Sequence, residues 1–170
     1  MRRKHSLFWS LLVVLVLADC TSKRYAVERL EPAHVPHEVL GDVVRFTLAY
    51  NPGAAFSMSL GGASRLVFAG LAIAVLVVLF RMFLEAAASD RWRIIGLALV
   101  AAGALGNLID RIRWSRGVVD FIDVGIGDLR FWVFNVADMC VTVGAVVLGL
   151  SLLREERLRA RSADATEQAG

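Results

Sequence analysis

The run from Phe131 to Leu153 is apolar and long enough to cross a bilayer, yet it carries Asn135 and Asp138. An acid near the centre of a spanning helix costs roughly 2.5–3.5 kcal/mol on insertion scales, so its default reading is functional, with a partner to be found. Asp120, just upstream, is the candidate partner. Asn135 and Asp138 are three residues apart, so a helix through both points them the same way, and inward is the expected direction.

Three further runs have spanning character: Leu7 to about Ala18, Leu66 to Leu84, and Ile94 to about Ile109. With 57% hydrophobic residues the chain is too apolar for a soluble domain. The expected fold is an all-α membrane protein, with four transmembrane helices in residues 1–153 and a small extracytoplasmic β or loop region at about 25–64. Residues 154–170 form a tail, read as either a helical extension or a disordered end. The first run, preceded by Arg2, Arg3 and Lys4, also resembles a secretory signal peptide, and Leu17 to Cys20 a lipoprotein processing site. Asp19 beside the cysteine argues against cleavage there, so the segment is read as a retained helix.

Over all loops the Lys and Arg residues divide almost evenly between the two sides. The cluster before the first span and Arg154, Arg157, Arg159 and Arg161 after the last favour a cytoplasmic position for both termini. Anionic lipid headgroups suffice as partners for the net charge of +3, and no nucleic-acid partner is implied. Trp9, Trp92, Trp114 and Trp132 lie near span ends and read as interfacial anchors. Cys20 and Cys140 form no paired framework, and His34 and His37 flank Pro36 without a third ligand, so neither metal nor cofactor is expected.

Polar residues gather toward one end of the predicted spans. Asp19 and Lys23 are four apart and share a face, which by itself describes an ordinary ion pair. Val44, Phe46, Leu48 and Tyr50 alternate with polar or small residues, predicting a strand with one apolar face that could lie on the membrane surface. Positions 103, 107, 110 and 111 fall on one face of the third span. Gly103 there permits close approach, while Asn107 and Arg111 line the same seam, as either packing or function. Gly117 to Phe121 reads as a short outward loop, and Asp120, Asp123 and Asp128 are acids that solvent alone could accommodate.

No serine or cysteine nucleophile motif, zinc-binding His-Glu-x-x-His or glycine-rich phosphate loop is present. Paired carboxylates remain. Two aspartates in close proximity share a proton, so that one activates water while the other donates a hydrogen bond to a scissile carbonyl.

In order along the chain, Asp19 to Lys23, Asn51-Pro-Gly-Ala-Ala-Phe56, Gly103 to Arg111, Gly117 to Phe121 and Phe134-Asn-Val-Ala-Asp138 resemble the sequence boxes of the lipoprotein signal peptidases, or signal peptidases II. Cys20 stands where that family commonly has Gln. The resemblance implies a catalytic dyad of Asp120 and Asp138. It further implies that Asp19, Lys23, Asn51, Gly103, Asn107, Arg111 and Asn135 shape the site or position the substrate. The implied reaction removes the signal peptide from a diacylglyceryl prolipoprotein, just ahead of its lipidated cysteine. A monomer in the bacterial cytoplasmic membrane, with its site near the outer face, is expected. The loop from Val43 to Met58 would cover the substrate as a cradle, with Gly61 and Gly62 letting it move. Two other classes compete: a proton-coupled transporter, since intramembrane acids also relay protons, and a noncatalytic scaffold packed through the third span.

Overall fold

A computed structural model describes residues 2–53 and 64–167, with side chains through 161. The helices are α1 (Arg2–Arg29), α2 (Ser64–Glu85), α3 (Arg91–Arg113) and α4 (Val136–Glu167). The strands are β1 (Pro36–Leu40), β2 (Val44–Asn51), β3 (Val118–Ile126) and β4 (Leu129–Arg130). Each helix is long and apolar enough to cross a membrane. The expected four-span architecture with a small sheet is therefore what the chain adopts. Gly61, Gly62 and residues 54–58 of the expected cradle lie outside the described residues.

Helix α1 runs past the expected loop start at Tyr25, because nothing between Asp19 and Arg29 breaks it; Pro32, without an N–H, follows the end. At 1.5 Å per residue α1 is about 42 Å long and α4 about 48 Å, more than a hydrocarbon core of about 30 Å. Thus α4 continues as one helix through residues 154–167.

The sheet is antiparallel in the order β1-β2-β3-β4. Contrary to the reading as a loop, Gly117 to Phe121 enters strand β3, which pairs with β2 so that Ala49 faces Asp120 and Asn51 faces Val118. Local sequence did not signal this because the pairing partner is some 70 residues away. A bulge in β2 between Phe46 and Ala49 breaks the expected alternation, leaving neighbours Thr47 and Leu48 both buried.

Helix α3 is the centre of the bundle. Its Ile94, Leu97, Ala98 and Ala101 pack with Phe8 and Leu12 of α1 and Leu79 and Phe83 of α2. The outward faces of α1, α2 and α4 expose Val14, Leu66, Ile73, Val143 and Val146, which suits a hydrocarbon solvent. A second cluster of Ala26, Leu30, Leu48, Val119 and Phe121 seats the sheet on the end of α1. At the opposite end, the Lys4 ammonium donates to the carbonyls of Leu84 and Ala86 at 3.0 and 2.7 Å. It thereby caps α2 and brings the start of α1 and the end of α2 together.

Candidate active site

The start of α4 departs from the expected span. Residues Phe131 to Asn135 are not helical; Phe134 bridges to Ile122 of β3, and the helix begins at Val136. Asn135 is its N-cap: its Oδ1 accepts the Asp138 N–H at 3.0 Å, and Asp138 Oδ2 accepts the Asn135 N–H at 3.1 Å. This reciprocal pair is a capping box. Asp138 therefore sits in the first turn, where the helix dipole favours negative charge, and not at mid-span where an acid would cost most.

Asn135, fully buried, also carries the link to the second acid. Its Nδ2 donates to Asp120 Oδ1 at 2.6 Å and lies 3.2 Å from Asn107 Oδ1 and 3.3 Å from the Val119 carbonyl. The Asn107 amide in turn donates to Asp138 Oδ1 at 2.8 Å. Two amides thus hold two carboxyl groups supplied by a strand and by the first turn of a helix.

Behind them lies a buried charge cluster. Lys23 Nζ is 2.8 Å from Asp19 Oδ2 and 3.0 Å from Asp110 Oδ2, and it donates to Asn107 Oδ1 at 2.8 Å. Asp19 Oδ1 accepts the Ala137 N–H at 2.8 Å, tying α1 to the start of α4. Asp110 Oδ2 accepts the Val119 N–H at 3.1 Å, fixing the backbone next to Asp120. Asp110 was not singled out from sequence as a site residue, although its place on the face of Asn107 was the available signal. It is the residue that joins Lys23 to β3.

Close approach of the helices depends on small residues. A Cβ on Gly103 would meet the Ala137 carbonyl and come within 2.7 Å of Val141 Cγ2, and one on Gly106 would run into the Asp19 carboxylate. Asn51, diagonal to Asp120 across the β2–β3 register, hydrogen bonds to it. Asn51 Oδ1 also accepts the Gly53 N–H at 3.0 Å. Half-buried Arg111 stands apart from these contacts. Its guanidinium donates to the Asn107 carbonyl at 3.0 Å and lies 5.7 Å from the Phe68 ring, and it forms no ion pair with either aspartate among the described residues.

Burial, and next the charge of Asp138, push the Asp120 carboxyl up to about 7, against the opposing hydrogen bonds of Asn135 and Asn51 and the charge of Lys23. Asp123 is not merely solvated. Three residues from Asp120 on a regular strand, it projects to the other face, where it is buried against Arg130 at 2.8 Å and Thr47 Oγ1 at 3.1 Å.

Four spans and a sheet that meet around buried Asp120 and half-buried Asp138 define a multi-pass membrane protein with an acid site at one end of its bundle. The signal peptidase (SPase) II family model matches residues 11–154, and the chain belongs to that family. It is 39% identical to a lipoprotein signal peptidase of Pseudomonas syringae pathovar tomato, over 89% of this chain and 88% of the relative. It is 40% identical to one of Coxiella burnetii, over 86% and 88%. A bacterial membrane enzyme solved by the in meso method at 2.3 Å resolution superposes with a TM-score of 0.76 at 30% identity, covering 88% of each chain. Membership in a protease family decides against the carrier and the scaffold.

Proposed function

We propose that this protein removes the signal peptide from diacylglyceryl-modified prolipoproteins, cleaving just N-terminal to the lipidated cysteine, with Asp120 and Asp138 as its catalytic pair. The observation that carries this reading is Asn135, which hydrogen bonds to both acids where strand β3 meets the start of α4. The Asp120 carboxyl, titrating at about 7, holds a proton in a large fraction of molecules near neutrality and donates a hydrogen bond to the scissile carbonyl. Asp138 takes a proton from water as the water oxygen adds to the carbonyl carbon. The Asp120 proton passes to the carbonyl oxygen, giving a neutral gem-diol. In its collapse the C–N bond breaks, the proton on Asp138 moves to the leaving nitrogen, and Asp120 recovers a proton from a diol hydroxyl.

In this reading Asn107 and Asn135 orient the acids, while Asp19 and Lys23 brace the helices that carry them. Gly103 lets α3 and α4 approach, and Asn51 and Arg111 border the substrate position. The chain works as a monomer among the lipids of a bacterial cytoplasmic membrane, with both termini, including residues 154–170, cytoplasmic and the acids near the outer face. The positive clusters at the two termini support that orientation.

The test is cleavage of a purified diacylglyceryl prolipoprotein by the wild type, Asp120→Asn and Asp138→Asn, each checked for folding in detergent. Loss of roughly 10²–10⁴-fold in turnover is expected for each variant, the usual contribution of one acid or base. Turnover retained in both folded variants would discard the dyad.

A further inference from the structure

At the end of the bundle away from the aspartates, the α2–α3 turn and one face of α4 border a groove of about 820 Å³. That volume lies in the range of small-molecule sites, about 300–1,000 Å³. Val147, Leu150, Ser151, Arg154 and Leu158 recur at helical spacing along it, so α4 offers an apolar wall that becomes basic toward its end. Trp92, 60% exposed, stands on the α3 side beside Arg91.

Both acids in the groove are already engaged. Asp90 caps α3 by accepting the Arg93 N–H at 3.0 Å and also accepts the Ser151 hydroxyl at 3.2 Å. Glu155 pairs with Arg93 at 3.0 Å and with Arg159. Arg91 and Arg154 have no ion-pair partner among the described residues. Two uncommitted guanidiniums therefore lie over an apolar wall, next to an exposed indole of the kind that seeks the headgroup level.

We propose that this groove binds one anionic phospholipid, with Arg91 and Arg154 on its phosphate and its acyl chains along Val147 and Leu150. Charge complementarity selects the headgroup: guanidinium forks match phosphate oxygens, and a zwitterionic lipid adds an ammonium that the two arginines repel. Basic pockets between spanning helices are the usual form of such sites. The occupant bridges the start of α3 and α4, beside the polar contacts of Asp90 with Ser151 and of Arg93 with Glu155.

The experiment uses the full-length protein in detergent, with lipids retained or added back and read by native mass spectrometry and by thermal melting. Phosphatidylglycerol is expected to bind at least tenfold tighter than phosphatidylethanolamine and to raise the melting temperature. Arg91→Gln/Arg154→Gln should abolish both effects, while Arg91→Lys/Arg154→Lys keeps part of them and prolipoprotein cleavage in detergent is unchanged in either. Equal retention of phosphatidylethanolamine, or phosphatidylglycerol binding that survives the double Gln variant, would overturn the proposal. So would equal protection by inorganic phosphate, which would make the groove a free-anion site, or a dimer lost in the Gln variant, which would make its occupant a second copy of the chain.

Discussion

Asn135 and Asp138 exchange two hydrogen bonds across the first turn of α4, at 3.0 and 3.1 Å, and the same Asn135 side chain reaches Asp120 at 2.6 Å. A helix cap and a link between two acids are therefore one residue. Serine at this position keeps a cap but has no amide to offer Asp120. Asn135→Ala should lower stability by about 0.5–2 kcal/mol through the lost cap, whereas Asn135→Ser should lose much less. Both remove a hydrogen bond that holds the Asp120 titration down, so both should move the alkaline limb of activity upward. Melting curves together with pH–rate profiles separate the two effects.

The Asp120 titration sets a pH dependence of both activity and stability. In the proposed mechanism Asp120 works in its protonated form, which should give kcat/KM an alkaline limb near pH 7. Its folded value lies above the ordinary 3.8, so between about pH 4 and 7 the folded state binds more protons than the unfolded state. Stability must then fall as pH rises through that window. Asp120→Asn should lose roughly 10²–10⁴-fold in turnover yet melt higher than the wild type at pH 8, with the gap narrowing toward pH 4. A gap independent of pH would show that Asp120 titrates normally.

Asp110 holds Lys23 and the Val119 N–H with one oxygen, at 3.0 and 3.1 Å. Asp110→Ala should cost about 3–5 kcal/mol, as expected when one partner of a buried ion pair is removed. Asp110→Asn, of the same shape, should fold but misplace β3, so that kcat falls at least tenfold with KM little changed. Single-turnover cleavage by the Asn variant checks this.

Gly106 faces the Asp19 carboxylate so closely that a methyl group cannot enter without displacing it. Alanine would gain about 1 kcal/mol of helix propensity, but overpacking costs about 1–3 kcal/mol and here it also moves an ion pair. Gly106→Ala should therefore be net destabilising and slow in cleavage. Gly70→Ala, which meets nothing within 4 Å, should be neutral or stabilising, and melting temperatures of the two distinguish site packing from a general helix effect.

Asp123 shares the region of Asp120 without sharing its face. Asp123→Asn should weaken the Arg130 and Thr47 contacts and cost about 1–3 kcal/mol, while keeping turnover within a few-fold of the wild type. A dead but folded Asp123→Asn beside an active Asp120→Asn would reverse the assignment within β3.

Hydrophobic run lengths alone determined that four helices cross a membrane, and spacing alone determined that Asp19 shares a face with Lys23, since residues four apart on a helix are neighbours whatever surrounds them. The boxes of residues also carried the family, in order. Tertiary structure decided the rest. Asp120 lies on a strand because β3 pairs with a segment some 70 residues away, and Asp138 sits in the first turn of a helix that starts only after Phe134 has bridged to that strand. Asp110 matters because Lys23 and Val119 arrive beside it from two other elements. Each of these is a pairing of backbone or charge between distant segments, which no local period encodes, and burial of those pairings is what raises the Asp120 titration toward neutrality.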